Sequence, residues 1–299
     1  MSDGSDSRVE RVPLRECVVL GNRVAYYERG AGTTLVLVHG LFGDHMDWAP
    51  VLEPLAAKYR VIALDLPGFG DSDKSARHYT PEFYIDALHA FFSTLDLRKI
   101  VLVGNSLGGL LSSLYAAAHP ERLQSLVLVS SAGMREYSAW EQRLATDRFS
   151  LGNLLALRPE HIEPLFSLNF AQLTSQRVAY LERQRAKLLR TDYASYARVL
   201  SECAAFAFAR PVVPLLREVR LPILLLWGDR DPVFPPDLAR AALPVLLQAE
   251  LALIAGASHM PQMDQPEDFV RAMERFIQEQ KGEWNEVQAS KPKIGLDSR

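Results

Sequence analysis

Ile100-Val101-Leu102-Val103-Gly104-Asn105-Ser106-Leu107-Gly108-Gly109 is the stretch on which the fold turns. A short apolar run enters Gly-x-Ser-x-Gly and leaves it directly into the Ala- and Leu-rich segment Leu107–Ala118. Apolar on consecutive residues, the run reads as a strand buried on both faces, and the segment after it as a helix. A nucleophilic serine belongs on such a strand-to-helix turn, in a strained conformation that thrusts Oγ clear of the sheet. Gly104 and Gly108 flank it because side chains there would collide across the tight turn. The helix N-terminus at Leu107 then presents unpaired N–H groups to a developing oxyanion. A phosphate-binding glycine turn needs Gly-x-Gly-x-x-Gly, which Asn105-Ser106 interrupts. A chance match would lack both the strand and the helix.

Further runs of the same kind extend in both directions. Glu16–Leu20 and Arg23–Glu28 read as two strands joined at Gly21-Asn22. Thr34–Val38, Arg60–Leu64, Leu126–Val129, Ile223–Trp227 and Glu250–Ile254 are apolar on consecutive residues and read as strands of a parallel sheet. Trp48–Lys58, Pro81–Leu95, Asp237–Leu247 and Pro266–Gln280 are the other helix candidates. The order, two strands and then repeated strand–helix units, predicts an α/β fold. Its sheet should be mostly parallel, with about eight strands and helices on both faces. Between Val129 and Ile223 no strand is evident; Ser138–Leu151 and Thr174–Phe208 read as helices instead. The division expected is a core over 16–132 and 220–280, an inserted helical cap over 133–219, and mobile polar tails over 1–15 and 281–299.

Composition narrows the partners. With a formal net charge of -3 and Arg and Lys interleaved with acids, as in Glu182–Arg185, the chain offers no basic face for nucleic acid. Its two cysteines, Cys17 and Cys203, are far apart and read as buried free thiols of a reducing, cytoplasmic setting. Met1–Arg15 lacks an apolar stretch of signal-peptide length, and no run approaches a membrane span. Nothing calls for a cofactor or a metal; Asp65, Asp71 and Asp73 fit no Ca²⁺ loop, and Asp65 is expected to anchor its own loop.

Around the elbow the sequence resembles the α/β-hydrolase family. Leu35–Val38 ends in His39-Gly40-Leu41-Phe42-Gly43, similar to the family's His-Gly turn. The resemblance implies that Leu41 N–H joins Leu107 N–H as an oxyanion donor, with Phe42 a neighbouring possibility, and that His39 braces the turn. Asp65–Asp73 resembles the turn after the family's fourth strand. Gly228-Asp229-Arg230-Asp231 offers two acids after a strand; the family's usual spacing selects Asp231 over Asp229. Ala255–Pro261 resembles the family's Gly-x-x-His loop and singles out His259. The chain order Ser106, Asp231, His259 is that of this fold. The resemblance spans roughly 18–277 and implies a serine hydrolase.

Serine at 106 sets the chain apart from haloalkane dehalogenases and epoxide hydrolases, which carry aspartate there. An ester, thioester or lactone, with water, is the expected substrate. Trp140, Phe166, Phe170, Phe206 and Phe208 supply aromatic bulk in the insert. Most of these aromatics are expected to glue the insert to the core, yet together with Phe42, and with Met134 and Met260 at the cleft, they suggest an apolar acyl or aryl pocket. Arg143, Arg148, Arg177 and Arg190 in the same region leave charged recognition open. Three alternatives share the triad or the fold: a carbon–carbon bond hydrolase of ring-cleavage products, an acyltransferase or cofactor-free peroxidase, and a non-enzymatic receptor. The first usually has Gly-Pro-Gly after His-Gly and an aromatic after the histidine, where this chain has Leu41-Phe42-Gly43 and Met260. The oligomeric state is not legible.

Overall fold

Side chains alternate across a strand, so a run that is apolar at every position needs cover on both faces. The computed structural model, which describes residues 14–289, provides it. One sheet contains β1 (Arg15–Val19), β2 (Asn22–Arg29), β3 (Thr34–Val38), β4 (Arg60–Leu64), β5 (Ile100–Asn105), β6 (Leu123–Val129), β7 (Ile223–Gly228) and β8 (Ala249–Ile254). Their spatial order is β1-β2-β4-β3-β5-β6-β7-β8. The β1–β2 and β2–β4 pairs are antiparallel and every other pair is parallel.

The helices before β6 are α1 (Ala49–Ala56), α2 (Pro81–Thr94) and α3 (Leu107–Ala118). Between β6 and β7 run α4 (Ala139–Arg148), α5 (Leu151–Leu155), α6 (Ile162–Phe166), α7 (Ser175–Leu188), α8 (Tyr193–Ala207) and α9 (Val213–Leu216). After β7 come α10 (Asp237–Ala242), α11 (Pro261–Asp264) and α12 (Pro266–Ala289). Local chemistry fixes several starts. The Thr80 hydroxyl accepts from Phe83 N–H with Pro81 at the first helical position, and Ser138 and Glu141 form a reciprocal capping box.

Strand parity decides which core each side chain joins. Leu35, Leu37, Val101, Val103, Val127 and Leu224 pack with Val51 and Leu55 of α1 and Phe269, Met273 and Phe276 of α12. Val36, Val38, Leu102, Leu126 and Leu225 face Leu88 and Phe91 of α2, Leu110 and Leu111 of α3, and residues of the insert. Each fully buried side chain of this size contributes roughly 1.5–3 kcal/mol relative to exposure.

Two expectations are corrected. The hairpin turns at Leu20-Gly21, one residue earlier than Gly21-Asn22, with both residues at positive φ (49° and 75°) as a two-residue hairpin loop requires. Asn22 is instead buried in β2, its Nδ2 donating to the carbonyls of Val19 and Leu20, and so holds the unusual Leu20 conformation. The segment after residue 280 is not all tail, because α12 continues to Ala289. The tail positions 1–13 and 290–299 lie outside the described residues.

The strand order reverses between β3 and β5, whose neighbours run outward in opposite directions. Ligands of open α/β sheets bind outside the carboxyl ends of the strands at such a switch. The His39–Gly43 turn leaves one of these strands and Ser106 the other.

Candidate active site

Ser106 occupies φ 54° and ψ −115° at the start of α3. A non-glycine residue there stores about 1–3 kcal/mol of strain, held by its surroundings. Its N–H donates to Val129 O (3.0 Å) and its carbonyl accepts from Ala132 N–H (3.0 Å). The glycines of the motif are steric. A Cβ on Gly104 would stand 2.2 Å from Gly108 O, and one on Gly108 would stand 2.2 Å from Val38 O. The Ser106 hydroxyl makes no protein hydrogen bond among the described residues. Such bonds often tighten only with substrate in place.

The acid and the base meet behind it. Asp231 Oδ1 accepts from the N–H groups of Val233 (2.8 Å) and Phe234 (3.0 Å), which leaves Oδ2 for His259 Nδ1–H at 2.9 Å. Both side chains are buried, with exposures of 0% and 6%. Asp229 does something else: its Oδ1 accepts from Gly256 N–H (2.8 Å) and closes the turn before the histidine loop. Asn105, which the sequence reading passed over, donates through Nδ2 to Val129 O (3.1 Å) and to His259 O (3.3 Å). It ties the elbow to the histidine loop.

The His39 turn packs against the elbow so closely that a Cβ on Gly40 would stand 3.2 Å from Ser106 Cβ. His39 is buried and accepts from Leu66 N–H at Nε2 while Nδ1–H donates to Gly40 O (2.8 Å). Burial pulls its pKa down, so the imidazole is neutral and braces the turn. Phe42 lies in the left-handed region at φ 65°. The N–H groups of Leu41, Phe42 and Leu107 donate to no protein acceptor among the described residues. Asp65 takes Asp71 N–H (2.8 Å) in its own loop but also His45 N–H (2.7 Å) and His45 Nδ1 (2.9 Å) from the segment between β3 and α1, so it ties two loops together rather than anchoring its own alone.

Ser106 and His259 open on a cavity of about 580 Å³. Leu41, Phe42, Leu107, Phe166, Phe208 and Met260 line it. Four expected pocket residues do not. Trp140 is 69% exposed because α4, which buries none of its residues, turns Leu144, Ala145 and Arg148 to the cavity instead. Phe170 is buried behind the wall, edge-on to Tyr180 at 5.2 Å. Nor do Phe206 and Met134, both buried, reach the cavity. Phe149, Leu165, Leu168 and Phe234 complete the apolar wall, and Asp47, Asn169 and Tyr180 add polar groups. Of the insert's arginines, Arg148 lines the cavity, Arg177 pairs with Glu163, and Arg190 pairs with Asp192 and Asp71.

The insert is bonded to both halves of the site. Ser258 Oγ donates to Leu168 O (2.7 Å), Met260 N–H to Asn169 O (3.2 Å), and Ala171 N–H to Asp264 Oδ2 (3.0 Å). On the other side, Arg183 donates to Asp47 (3.2 Å) and Lys187 pairs with Asp44 (2.8 Å). Burial, reinforced by Asp44, pushes the Asp47 carboxyl up to about 7. Burial opposes the ionised form of Asp44 too, but Lys187 and Arg183 prevail and hold its pKa well down. Because the folded pKa of Asp47 lies above its ordinary 3.8, its proton-linked stabilisation is complete below that value and is lost as pH rises through about 7. Asp47→Asn, which stays neutral, should therefore gain in melting temperature relative to wild type between about pH 5 and about pH 8. Melts with the same difference at both pH values would contradict this.

The family description "alpha/beta hydrolase fold" matches residues 33–266, most of the chain. The chain belongs to the α/β-hydrolase fold family. This α/β hydrolase is 28% identical over 262 residues to 2-hydroxy-6-oxo-6-(2'-aminophenyl)hexa-2,4-dienoic acid hydrolase of Metapseudomonas resinovorans, covering 86% of this chain and 88% of that one. It superposes on a bacterial membrane phospholipase A with a TM-score of 0.77 at 29% identity, over 90% of this chain and 86% of the other. A thermophilic esterase from Thermogutta terrifontis matches at TM-score 0.76 and 26% identity, over 90% and 99%. Among the described residues of this hydrolase, no helix is long and apolar enough to cross a membrane.

Proposed function

We propose that this hydrolase is a serine esterase that cleaves carboxylic esters, thioesters or lactones of apolar acyl or aryl groups through an acyl-Ser106 intermediate. The observation that carries the reading is the buried Asp231–His259 pair opening on the same cavity as a strained Ser106. Ser106 Oγ attacks the carbonyl carbon and passes its proton to His259 Nε2. The oxyanion is received by the N–H groups of Leu41 and Leu107. Collapse expels the alkoxide, which takes that proton from His259. Water then gives a proton to His259 and attacks the acyl-enzyme, and the second collapse returns the proton to Ser106 and releases the acid. Asp231 fixes the imidazole tautomer and stabilises the imidazolium. The helical insert acts as a cap whose apolar wall selects the acyl group, and no cofactor or metal takes part.

The esterase and phospholipase likenesses support ester cleavage, and the ring-cleavage hydrolase likeness supports carbon–carbon cleavage as the second reading. A panel of p-nitrophenyl esters of rising chain length separates them. The expected result is turnover with the largest kcat/KM at medium chain length, from the size and apolar lining of the cavity. Cleavage of a vinylogous 1,5-diketone with no ester turnover would establish the second reading instead.

A further inference from the structure

We infer that Lys187 is a positioning residue for the oxyanion turn, locking the Phe42 carbonyl from the helical insert so that the N–H groups of the turn face Ser106. The inference rests on the ester-hydrolase reading above. Lys187 stands in the last turn of α7, far from the catalytic residues in sequence, and its ammonium donates to Phe42 O at 2.6 Å. No other described group donates to that carbonyl. The side chain is only 11% exposed and is anchored by Asp44 at 2.8 Å. The two charges offset each other, so what Lys187 supplies at the turn is direction more than positive potential.

The turn needs such a hold. Phe42 has the left-handed backbone that a residue with a side chain rarely adopts, and no regular element constrains it. At the nitrogen end of the peptide between Phe42 and Gly43, Gly43 N–H donates to Gly40 O (3.0 Å), which closes the turn. Lys187 holds the oxygen end, so that the peptide is bonded at both ends. The Phe42 ring, edge-on to Phe166 at 5.1 Å, clamps the side chain from the same insert. With the carbonyl released, only the Gly43–Gly40 bond opposes relaxation of the strained φ of Phe42, and the N–H groups of Leu41 and Phe42 turn as it relaxes. An oxyanion donor rotated away stabilises the transition state less while leaving ground-state binding in the apolar cavity intact.

The test is Lys187→Met, which keeps the aliphatic stem and removes every donor, assayed on the best p-nitrophenyl ester after active-site titration. The expected result is a roughly 10–100-fold fall in kcat with KM within about twofold, less than the 10²–10³ loss for deleting a donor outright. A trifluoromethyl ketone, which adds to Ser106 as a tetrahedral oxyanion, should weaken by the same factor as kcat/KM. Lys187→Arg, which retains a donor, should recover most of the rate. If the methionine variant does not fold, Lys187→Gln, whose amide ends a bond short of Phe42 O, replaces it with the same expected losses. Unchanged kcat per titrated site in a folded variant, or a loss in kcat that the ketone affinity does not follow, overturns the inference. A wild-type protein that neither hydrolyses an ester nor is labelled by a fluorophosphonate overturns the ester-hydrolase reading, and this inference with it.

Discussion

Replacing Ser106 with alanine should lower kcat on any ester the protein turns over by about a millionfold, with KM changed only a few-fold. The size of the effect follows from the roles assigned to the site. Oγ is the atom that forms and breaks the covalent bond, and without it only the oxyanion donors and the cavity remain to accelerate attack by water. Binding should survive because the cavity wall is made by other residues, among them Phe42, Phe166 and Phe234. Stability should survive as well, since the hydroxyl has no protein partner whose loss would leave a buried group unsatisfied. Alanine also keeps the Cβ that the φ 54° backbone already tolerates. Rate measurement on titrated protein checks this, and a variant retaining even a hundredth of the rate would remove Ser106 from the chemistry.

Asp231→Asn should lower kcat by about 10⁴-fold, through the tautomer rather than through charge alone. The geometry dictates which way the amide would sit. Val233 and Phe234 donate their N–H groups to Oδ1, so the asparagine carbonyl oxygen must take that place. Its NH₂ then faces His259 Nδ1, where the carboxylate accepted a hydrogen bond before. The imidazole must accept at Nδ1 and carry its proton on Nε2, the nitrogen that has to take the proton of Ser106. Asp229→Asn offers the contrast. Its Oδ1 receives only Gly256 N–H, which an amide oxygen accepts equally well, so kcat should fall less than about tenfold. The reverse ranking in steady-state kinetics would show that the wrong acid was chosen.

The legible part of this molecule was local. Ile100–Val103 could be read as a doubly buried strand because burial on both faces leaves a mark on every residue, and the serine turn because its glycines answer to backbone atoms a few residues away. Asp229 and Asp231 lie in the same short turn, and choosing between them needed the family's spacing; in the structure one closes the turn and the other meets His259. The insert was legible as helix but not as surface. α4 buries nothing, so its sequence carries no apolar stripe to say that Leu144 and not Trp140 turns to the cavity. The hairpin register slipped by one residue because Gly21-Asn22 looks like a turn, whereas Asn22 serves the turn from inside the strand. Asp44 and Asp47, and the cations of α7 that meet them, gave no signal at all: their meaning lies in a contact between distant segments.

Labelling with a fluorophosphonate, followed by intact mass and peptide mapping, tests the account most directly. One adduct per chain, carried by Ser106 and formed far more slowly when His259 is replaced by alanine, is the result predicted. Ester turnover that persists with Ser106 unlabelled, or an adduct on another residue that abolishes it, would contradict the account.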